Sequence, residues 1–471
     1  MWQPDLNGRT GPRYRAIADA LADAVAGGEL QPGTRLPTHR HLAEALGVTV
    51  GTVTRAYTEA ERRGLVEATV GRGTFVCAAT EPPSPKETAF TARLRASRSD
   101  APDPGGAATV DLSTNLPVPG LVADALAQTA AALPGPERWA ELGGYQPAAG
   151  RAEHREAGAA WLAATGLPVD AERVVAVPGT QPGLTLALNA LCTPGDAVLV
   201  EALTYPGVRA AAHALGLRPV PVAMDGDGLC PDALAEAARR SGARVVFTMP
   251  TLHNPTNATM GERRRRDILA VARDHDLTVI EDAIYAFLDP EAPAHLAAMD
   301  RERVVHLTGL SKAVSPGVRV GYVVPPDALH ARLIAALRAS LLMTSTLTLE
   351  WARVALDTDI AGNAARAQRD AAARRQDLAR ARLPADALST HPHSFHAWLK
   401  LPAAWSTAAF AQQAEARGVV VSPGDAFAVG DDPRAVRLCL CAPEHEDALV
   451  RALDTLAELL ATPPASVGPV V

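Results

Sequence analysis

The stretch Ser311-Lys312-Ala313-Val314-Ser315-Pro316-Gly317-Val318-Arg319 lies between two apolar runs, and it decides the fold of most of the chain. The flanking runs, Val304–Thr308 and Val320–Val324, have the length and the β-branched content of buried strands. A lysine and an arginine just past the end of such a strand occupy the edge at which open α/β sheets bind their ligands. The stretch therefore predicts a lysine-bearing loop at the edge of a sheet.

Further strands are predicted on the N-terminal side of this loop, with helical stretches between most of them. They cover Arg173–Val177, Ala197–Glu201, Arg218–Ala223, Arg244–Met249 and Thr278–Glu281. Strands alternating with helices indicate a mainly parallel sheet of seven strands with helices on both faces. From about residue 350 to 460 the pattern is helix, strand, helix, strand, helix, which favours a smaller α+β domain.

The ends of the predicted strands carry the groups that pyridoxal phosphate (PLP) chemistry requires. A lysine amine must form the Schiff base, and an acid must keep the pyridine nitrogen protonated. Hydroxyls, amides and an arginine must hold the phosphate, and an aromatic ring must cover the pyridine. The chain offers these groups in order at Gly179, Thr180, Gln181, Tyr205, Asn254, Asp282, Lys312 and Arg319. Any one of them alone is weak, but their joint order predicts a PLP site.

Over roughly residues 111–465 the chain resembles the aspartate-aminotransferase fold, type I of the PLP enzymes. The resemblance implies that Lys312 forms the internal aldimine, that Asp282 pairs with the pyridine nitrogen, and that Tyr205 stacks on the ring. The other positions that it implies are Asn254 and Tyr285 at the ring 3-oxygen, Gly179, Thr180, Gln181, Ser311 and Arg319 around the cofactor, Tyr145 at the phosphate of the partner subunit, and Arg437 at the α-carboxylate of a substrate or effector.

One position of the lysine loop departs from that family. Gly309 stands where the family usually has Ser or Thr, three places before the lysine. We expect one phosphate hydroxyl to be lost or displaced, which weakens the hold on the cofactor by about one hydrogen bond.

Near the start of the chain, two short helices are predicted with a tight turn between them. Thr38 is expected to cap a helix over His39–Leu46, Gly47 to end it, and Thr49 to cap the next helix. Two such helices form a helix-turn-helix. In the second helix, one face is apolar and predicted to be buried, with Val53, Tyr57 and Ala60.

The opposite face of that second helix is small and polar, and a hairpin follows it. Small side chains let a helix lie deep in the major groove of DNA. Strands over Leu65–Val70 and Thr74–Cys77 flank Gly71-Arg72-Gly73, a tip with a cation for a phosphate or minor-groove contact. The predicted DNA contacts are Arg35, Arg40, Thr49, Gly51, Thr52, Thr54, Arg55, Arg72 and Gly73.

Most of residues 12–77 resembles the GntR-type winged helix, a DNA-binding module. The resemblance implies that arginines at the positions of Arg35 and Arg40 and the residues that open the second helix contact DNA. Many members of that family have Arg where this chain has Val50, so direct recognition of guanine by this position is not expected here.

The composition sets bounds on the class of protein. Of 471 residues, 48% are hydrophobic and 21% charged, as in ordinary globular proteins of two or three domains. No apolar run is long enough for a bilayer and no signal peptide opens the chain, so we expect a cytoplasmic protein. The net charge of −7 divides into +1 for residues 1–77 and −8 for the rest, so charge alone does not indicate DNA binding.

Neither metal ligands nor disulfides are predicted. The five cysteines form no C-x-x-C pair, and Cys439 and Cys441 alternate within an apolar run as small buried residues do. The histidines at 391, 393 and 396 have no Cys or acidic neighbours in their strand-like segment, which favours structural roles. The run Arg263–Arg266 is expected to be a solvated helix face, with a second DNA contact as the alternative.

These segments give a domain order and a function. We predict a winged helix over residues 1–77, a Pro-rich linker over 78–110, a large PLP-binding domain over 111–349 and a small C-terminal domain over 350–471. This fusion resembles the MocR/GabR subfamily of GntR regulators, which implies a head-to-tail homodimer. The resemblance suggests a transcriptional regulator that senses an amino-acid- or amine-like effector, or PLP itself, through aldimine chemistry at Lys312.

Two alternatives stay open at this point. The chain could be a working aminotransferase with a vestigial winged helix, because the catalytic lysine and the substrate arginine are both present. It could also be a plain DNA-binding protein with a PLP-free scaffold.

Overall fold

The computed structural model describes residues 2, 4, 13–26, 29–31, 33–62, 66–69, 73–76 and 109–462. The predicted wing tip at Arg72, residue Cys77 and nearly all of the predicted linker lie outside these residues. The chain divides into two compact units, Met1–Thr88 and Ala89–Val471, and each is described by itself. In the described part of the chain, no helix combines the length and the apolar character needed to cross a membrane.

The N-terminal unit has three helices and a two-stranded antiparallel sheet in its described part. Its elements are α1 (Arg13–Ala26), α2 (His39–Leu46), α3 (Val50–Arg62), β1 (Val66–Thr69) and β2 (Gly73–Val76). The predicted caps are confirmed: Thr38 Oγ1 accepts a hydrogen bond from His41 N, and Gly47 ends α2 with a φ of 63°. Thr49 Oγ1 accepts from Thr52 N at 3.2 Å in the first turn of α3.

The core of this unit lies between α1 and α3, with α2 and the strands closing it. Ile17 and Leu21 of α1 meet the buried face of α3, where Val53, Tyr57 and Ala60 are at most 5% exposed. The Tyr57 hydroxyl donates to the carbonyl of Pro37 at 2.9 Å, which fixes α3 against the segment that precedes α2. The predicted buried face of α3 is therefore confirmed.

The larger unit is built on the predicted seven-stranded sheet. In spatial order its strands are β4 (Val175–Val177), β12 (Gly321–Val324), β11 (Val304–Gly309), β10 (Thr278–Asp282), β9 (Val245–Thr248), β5 (Ala197–Glu201) and β6 (Arg218–Val222). All pairs are parallel except those that β12 makes with β11 and β4. Every predicted strand of this sheet is present, and the expected mainly parallel arrangement is confirmed.

Helices of this unit cover the sheet and continue into the C-terminal part. They are α4 (Pro119–Ala131), α5 (Pro136–Leu142), α6 (Ala152–Ala164), α7 (Thr180–Leu191), α8 (Pro206–Ala214), α9 (Pro231–Ser241), α10 (Glu262–Asp274), α11 (Leu296–Met299), α12 (Asp327–Leu341), α13 (Thr346–Asp357), α14 (Ile360–Arg380), α15 (Thr407–Ala416) and α16 (Glu446–Ala461).

Short strands complete the unit. A four-stranded antiparallel sheet has the order β13 (Leu388–Ser389), β14 (His396–Lys400), β17 (Ala435–Cys439) and β16 (Ser422–Pro423). The others are β3 (Val110–Asp111) in parallel with β15 (Val419–Val420), and β7 (Met224–Asp225) antiparallel to β8 (Gly228–Leu229).

Two main hydrophobic cores fill the described part of the larger unit, and they do not follow the sequence order. Leu349 and Ala352 of α13 and the first half of α14 pack into the core of the seven-stranded sheet. The second core, around β14 and β17, includes Ala379 at the end of α14 and Leu112 just after β3. The chain of this unit thus begins in the second, smaller core at Leu112, continues into the core of the seven-stranded sheet, and returns to the smaller core along the helix α14.

The run of arginines at 263–266 is not a uniformly solvated face, so that expectation was wrong. Arg265 is fully buried and its guanidinium donates to the carbonyls of Met260 and Pro250 and to Thr251 Oγ1. Arg264 pairs with Asp225 at 2.7 Å. The run therefore ties α10 to the loops around it, because one helical turn points its successive side chains to different sides.

Candidate functional site

The predicted cofactor residues meet at one edge of the seven-stranded sheet. The carboxyl ends of the parallel strands share that edge, which brings the segments after β4, β5, β9, β10 and β11 together. Because β12 runs the opposite way, its amino end lies at the same edge and carries Arg319 there. Lys312 lies between β11 and β12 in the connection that makes this reversal.

A cradle for an anion forms where β4 gives way to α7. Gly179 has a φ of 103°, and a Cβ atom there would lie 2.7 Å from Nη2 of Arg319. Thr180 Oγ1 is buried and has no hydrogen-bond partner among the described residues. The first N–H groups of α7 have no partner within the helix. Glycine, hydroxyl, helix start and arginine together suit a phosphate.

Gln181 and Tyr205 border the cradle. Gln181 Nε2 donates to the carbonyl of Gly207 at 2.9 Å, at the start of α8. Tyr205 precedes α8 and is half-buried, and burial raises the pKa of its hydroxyl to about 12, so the hydroxyl stays protonated at neutral pH. Its hydroxyl lies within electrostatic range of Asp282, Arg437 and Arg319, and its stacking on the ring stays a prediction.

Gly309 is required by packing against this cradle. A Cβ atom at Gly309 would lie 2.8 Å from Thr180 Oγ1 and 3.0 Å from the carbonyl oxygen of Val320. The Thr180 hydroxyl therefore occupies the space that a side chain at position 309 would need. The departure seen in the sequence thus has a steric reason, and Thr180 is the hydroxyl that remains at this point of the cradle.

Lys312 and Asp282 form the reactive centre. The Lys312 amine donates to the carbonyl oxygen of Asn115, and burial, with the charge of Arg437, lowers its pKa from 10.5 to about 8. Burial raises the pKa of Asp282 to about 7, although its Oδ1 accepts from Ile284 N at 3.0 Å. About one tenth of the amine is therefore neutral at pH 7, a far larger share than for an ordinary lysine, and the neutral form is the nucleophile. A buried Asp282 carboxylate would in turn be stabilised by a cationic ring nitrogen beside it.

Arg437, on β17, reaches from the small core into this site. Its Nη1 donates to Asn254 Oδ1 at 2.9 Å and its Nη2 to the Ser113 carbonyl at 2.7 Å. The guanidinium carbon lies 4.7 Å from the centroid of the Phe427 ring. The side chain is 7% exposed, and no described carboxylate is paired with it. A buried cation of this kind favours an anionic ligand.

The residues Asn115 and His396 also lie in the site, and sequence reasoning did not place either residue there. Asn115 Nδ2 donates to the Tyr285 hydroxyl at 2.7 Å and lies 3.2 Å from His396 Nδ1, whereas its Oδ1 is buried without a partner among the described residues. Burial and Arg437 hold the pKa of His396 well below its usual range, so the imidazole is neutral. In the sequence, two features could have indicated these residues: the polar stretch before Pro117, which contains Asn115, and the position of His396 in an apolar strand.

A buried cluster supports Asp282 from behind the sheet edge. Glu281 accepts from the N–H groups of Leu296 and Ala297 and lies 3.0 Å from His306 and 3.4 Å from His295. Burial alone would raise the pKa of Glu281, but the two histidines hold it well below its usual range. The three side chains could face a metal ion. Because the carboxylate already accepts two backbone hydrogen bonds, the cluster serves as a structural anchor of β10.

The predicted DNA-contacting residues of the N-terminal unit lie at its surface where the structure describes them. Arg35, Arg40, Thr49, Gly51, Thr54 and Arg55 are exposed, and Thr52 is half-buried. Arg72 is outside the described residues, and Gly73 is the first residue of β2. Tyr145 of the larger unit is 85% exposed, and its contact with a partner subunit stays a prediction.

These groups fit PLP: an unpartnered hydroxyl and a glycine cradle for the phosphate, a buried acid for the ring nitrogen, and an amine of lowered pKa. Fold and site thus define a PLP-dependent protein of fold type I with a helix-turn-helix unit at its N-terminus.

Comparison with known proteins agrees with this class. Residues 110–456 match the family Aminotransferase class I and II, and residues 13–76 match the bacterial regulatory proteins of the gntR family. The chain therefore belongs to the PLP-dependent aminotransferase class I and II family and carries a gntR-type helix-turn-helix unit, an organisation consistent with the MocR/GabR subfamily of regulators.

Individual relatives and structures support the same assignment. The chain is 28% identical to an uncharacterized HTH-type transcriptional regulator of Bacillus subtilis, YdeF, over 98% of this chain and 96% of that protein. It is 29% identical to the probable rhizopine catabolism regulatory protein MocR of Rhizobium meliloti, over 68% and 66%. An archaeal alanine:glyoxylate aminotransferase superposes with a TM-score of 0.67 at 25% identity, covering 76% of this chain and 91% of that one.

Replacement Gly309→Ser should destabilise the protein without tightening its hold on PLP. The added Cβ meets Thr180 and the backbone of β12, and overpacking of this kind costs about 1–3 kcal/mol of unfolding free energy. Chemical denaturation and a PLP titration measure the two effects, and Gly309→Ala separates the Cβ from the hydroxyl. A serine variant of unchanged stability and higher PLP affinity would contradict the steric explanation.

Attachment of PLP to Lys312 should depend on pH with a midpoint near 8. The buried amine has its pKa lowered from 10.5 to about 8, so its neutral fraction rises about tenfold per pH unit below 8 and levels off above. Initial rates of PLP attachment to the apoprotein between pH 6 and 9.5, trapped by borohydride and followed by mass spectrometry, test this. Lys312→Met, which keeps Lys86 and Lys400, supplies the background. Rates that keep climbing through pH 9.5 would show that the amine is not desolvated.

Proposed function

We propose that this protein senses an amino-acid- or amine-like effector, or PLP itself, in its aminotransferase-like domain, and that it converts this binding into a change of DNA affinity. The observation that carries the proposal is that a buried amine of lowered pKa, Lys312, and a buried cation, Arg437, lie in one site. The same chain also has a gntR-type unit. An amine and a carboxylate on one ligand would meet these two groups.

Residues of this chain would hold the cofactor as follows. The Gly179–Gln181 segment and Arg319 would hold the phosphate, and Tyr205 would cover the ring. Asp282 would pair with the ring nitrogen, while Tyr285, whose hydroxyl accepts from Asn115, is free to donate to the ring oxygen. When bound, PLP supplies an aldehyde that exchanges amines and a ring that acts as an electron sink. Lys312 is the amine that an effector would displace.

Arg437 makes an effector with a carboxylate the preferred class. The guanidinium is buried, its Nε has no described partner, and its other nitrogens bond neutral oxygens only. A carboxylate would offset the cost of keeping this charge away from water. Purely cationic amines would instead be repelled by Arg437, so they are disfavoured relative to amino acids.

The position of Arg437 suggests how binding could move the structure. Its strand β17 belongs to the small core, whereas Lys312 and Asn254 extend from the large sheet. A ligand held by both sides would favour a closed arrangement over an open one. Such a ligand shifts the equilibrium only by its difference in affinity for the two states. The linker would pass that shift to the DNA-binding unit.

A homodimer is part of the proposal because of an exposed apolar patch, defined here as Tyr145, Leu341, Leu342 and Leu347. These side chains are between 44% and 85% exposed. Gln146 N donates to Met343 Sδ at 3.1 Å, so the loop of Tyr145 adjoins the connection between α12 and α13. Contiguous apolar surface is normally covered by another protein. A second copy of the chain in a head-to-tail arrangement would cover this apolar patch, and Tyr145 would then reach the cofactor phosphate of that second copy.

The alternative function is transamination. Lys312 and Arg437 are both in place, and several solved structures that superpose on this chain are aminotransferases. Turnover of amino acids with keto acids, followed as the cofactor cycles, would support this alternative if no ligand changed DNA affinity.

Ligand response should disappear in Lys312→Met while DNA binding persists. The test uses a duplex selected from a random pool by the full-length protein, with PLP and then single amino acids or amines as added ligands. An active ligand should change the dissociation constant of the parent about 5- to 150-fold. Lys312→Met should bind the duplex like the ligand-free parent and show no change. A Lys312→Met variant that responds as the parent does would refute the sensing mechanism. The variant Arg437→Met tests separately whether this side chain binds the carboxylate of the effector.

Replacement Leu347→Glu should convert a dimer to monomers. A charge placed in the apolar patch has to be desolvated when a second copy packs on it. Analytical ultracentrifugation at micromolar concentration gives the oligomeric state. The matched control is Val50→Glu, an exposed apolar residue of the N-terminal unit, which should sediment like the parent. If Leu347→Glu also sediments like the parent, the patch is not the subunit interface.

A further inference from the structure

The exposed face of α3 carries an apolar side chain where the fold turns a helix towards DNA. Val50, the first residue of α3, is 44% exposed, and it is the sole large hydrophobic residue of that exposure among the described residues of its unit. Thr54 follows four residues later and therefore lies on the same side of the helix. The two side chains form a short, exposed stripe on α3.

Hydrogen bonds within the helix use up the donors of this stripe. Thr54 Oγ1 donates to the carbonyl of Val50 at 3.0 Å, so its hydroxyl hydrogen is not available to a base. Thr49 and Thr52 lie with their hydroxyls 2.9 Å apart, and Thr49 also accepts from Thr52 N. The stripe therefore presents methyl groups to the outside, whereas guanine recognition in the major groove uses a fork of donors.

Gly51, between these residues, has no reason in the packing of the protein. A Cβ atom at Gly51 would meet only Thr49 Oγ1, at 3.8 Å, which is ordinary contact. Glycine in a helix is less stable than alanine, so the protein alone would favour a larger residue. A surface that approaches the α3 backbone closely would give glycine an advantage over alanine at this position.

We infer that α3 reads thymine: the methyl groups of Val50 and Thr54 contact the C5-methyl group of a thymine in the major groove, and Gly51 admits the base edge. The thymine methyl is the apolar group that the major groove offers. Arg40 and Arg55, both exposed, are placed to contact phosphates beside it, which supplies affinity without sequence information. This inference rests on the DNA-binding part of the proposed function and specifies its target.

The test removes the methyl group alone. Duplexes are selected from a random pool by the full-length, PLP-loaded protein, and each thymine of the consensus is then replaced by deoxyuridine in turn. One thymine per half-site should respond, with affinity falling about fourfold, the equivalent of about 0.8 kcal/mol for one buried methyl group. Val50→Ala should lose a similar factor on the thymine duplex and become less sensitive to deoxyuridine at that position, because the methyl group of Thr54 remains.

Two further variants separate recognition from folding. Gly51→Ala should melt at the same or a higher temperature than the parent yet bind the selected duplex at least tenfold more weakly. Arg55→Ala should weaken binding to all duplexes alike and lower the salt dependence, while it keeps the deoxyuridine effect.

Each result decides between distinct failures. Equal affinity for the thymine and deoxyuridine duplexes at every position, or a guanine-cytosine consensus opposite Val50, overturns thymine reading and leaves the regulator intact. A parent that enriches no sequence at all refutes both the inference and sequence-specific DNA binding. A parent that selects thymine but answers no amine or amino acid contradicts effector sensing alone.

Discussion

The rest of the larger unit depends on one constraint, the meeting of strand ends at a single edge of the sheet. Parallel strands place the segments that carry Asp282 and Lys312 side by side, and the reversed strand β12 adds Arg319 to them. Burial at that edge then lowers the pKa of the lysine and raises that of the aspartate. Behind this edge, the buried cluster around Glu281 and its two backbone hydrogen bonds hold β10, the strand that ends at Asp282, in place.

The N-terminal unit follows the same logic on a smaller scale. Its core fixes one side of α3 through Val53 and Tyr57, and therefore determines which side faces outwards. The outward stripe of Val50 and Thr54 has no unused side-chain donor, since the Thr54 hydroxyl donates to the helix itself. In this unit the energetic contribution of arginine is therefore expected at phosphates more than at bases.

Much of the architecture could be predicted from the sequence because its signals are local. The strand runs, the caps at Thr38 and Thr49, and the order of the cofactor residues are each visible within a few positions. The functions of Asn115 and His396 could not be predicted, because their contacts join residues more than 160 positions apart. Arg265 was misjudged for the same reason: only the tertiary structure supplies the carbonyls that accept from it.

The contact between positions 180 and 309 has a consequence for the history of such chains. A side chain at 309 would meet the Thr180 hydroxyl and also the backbone of Val320 and Gly321. Replacement of Thr180 alone would therefore not make room for it. A path from this chain to one with serine at 309 needs a shift of the backbone that leads into β12 as well as an adjustment of Thr180.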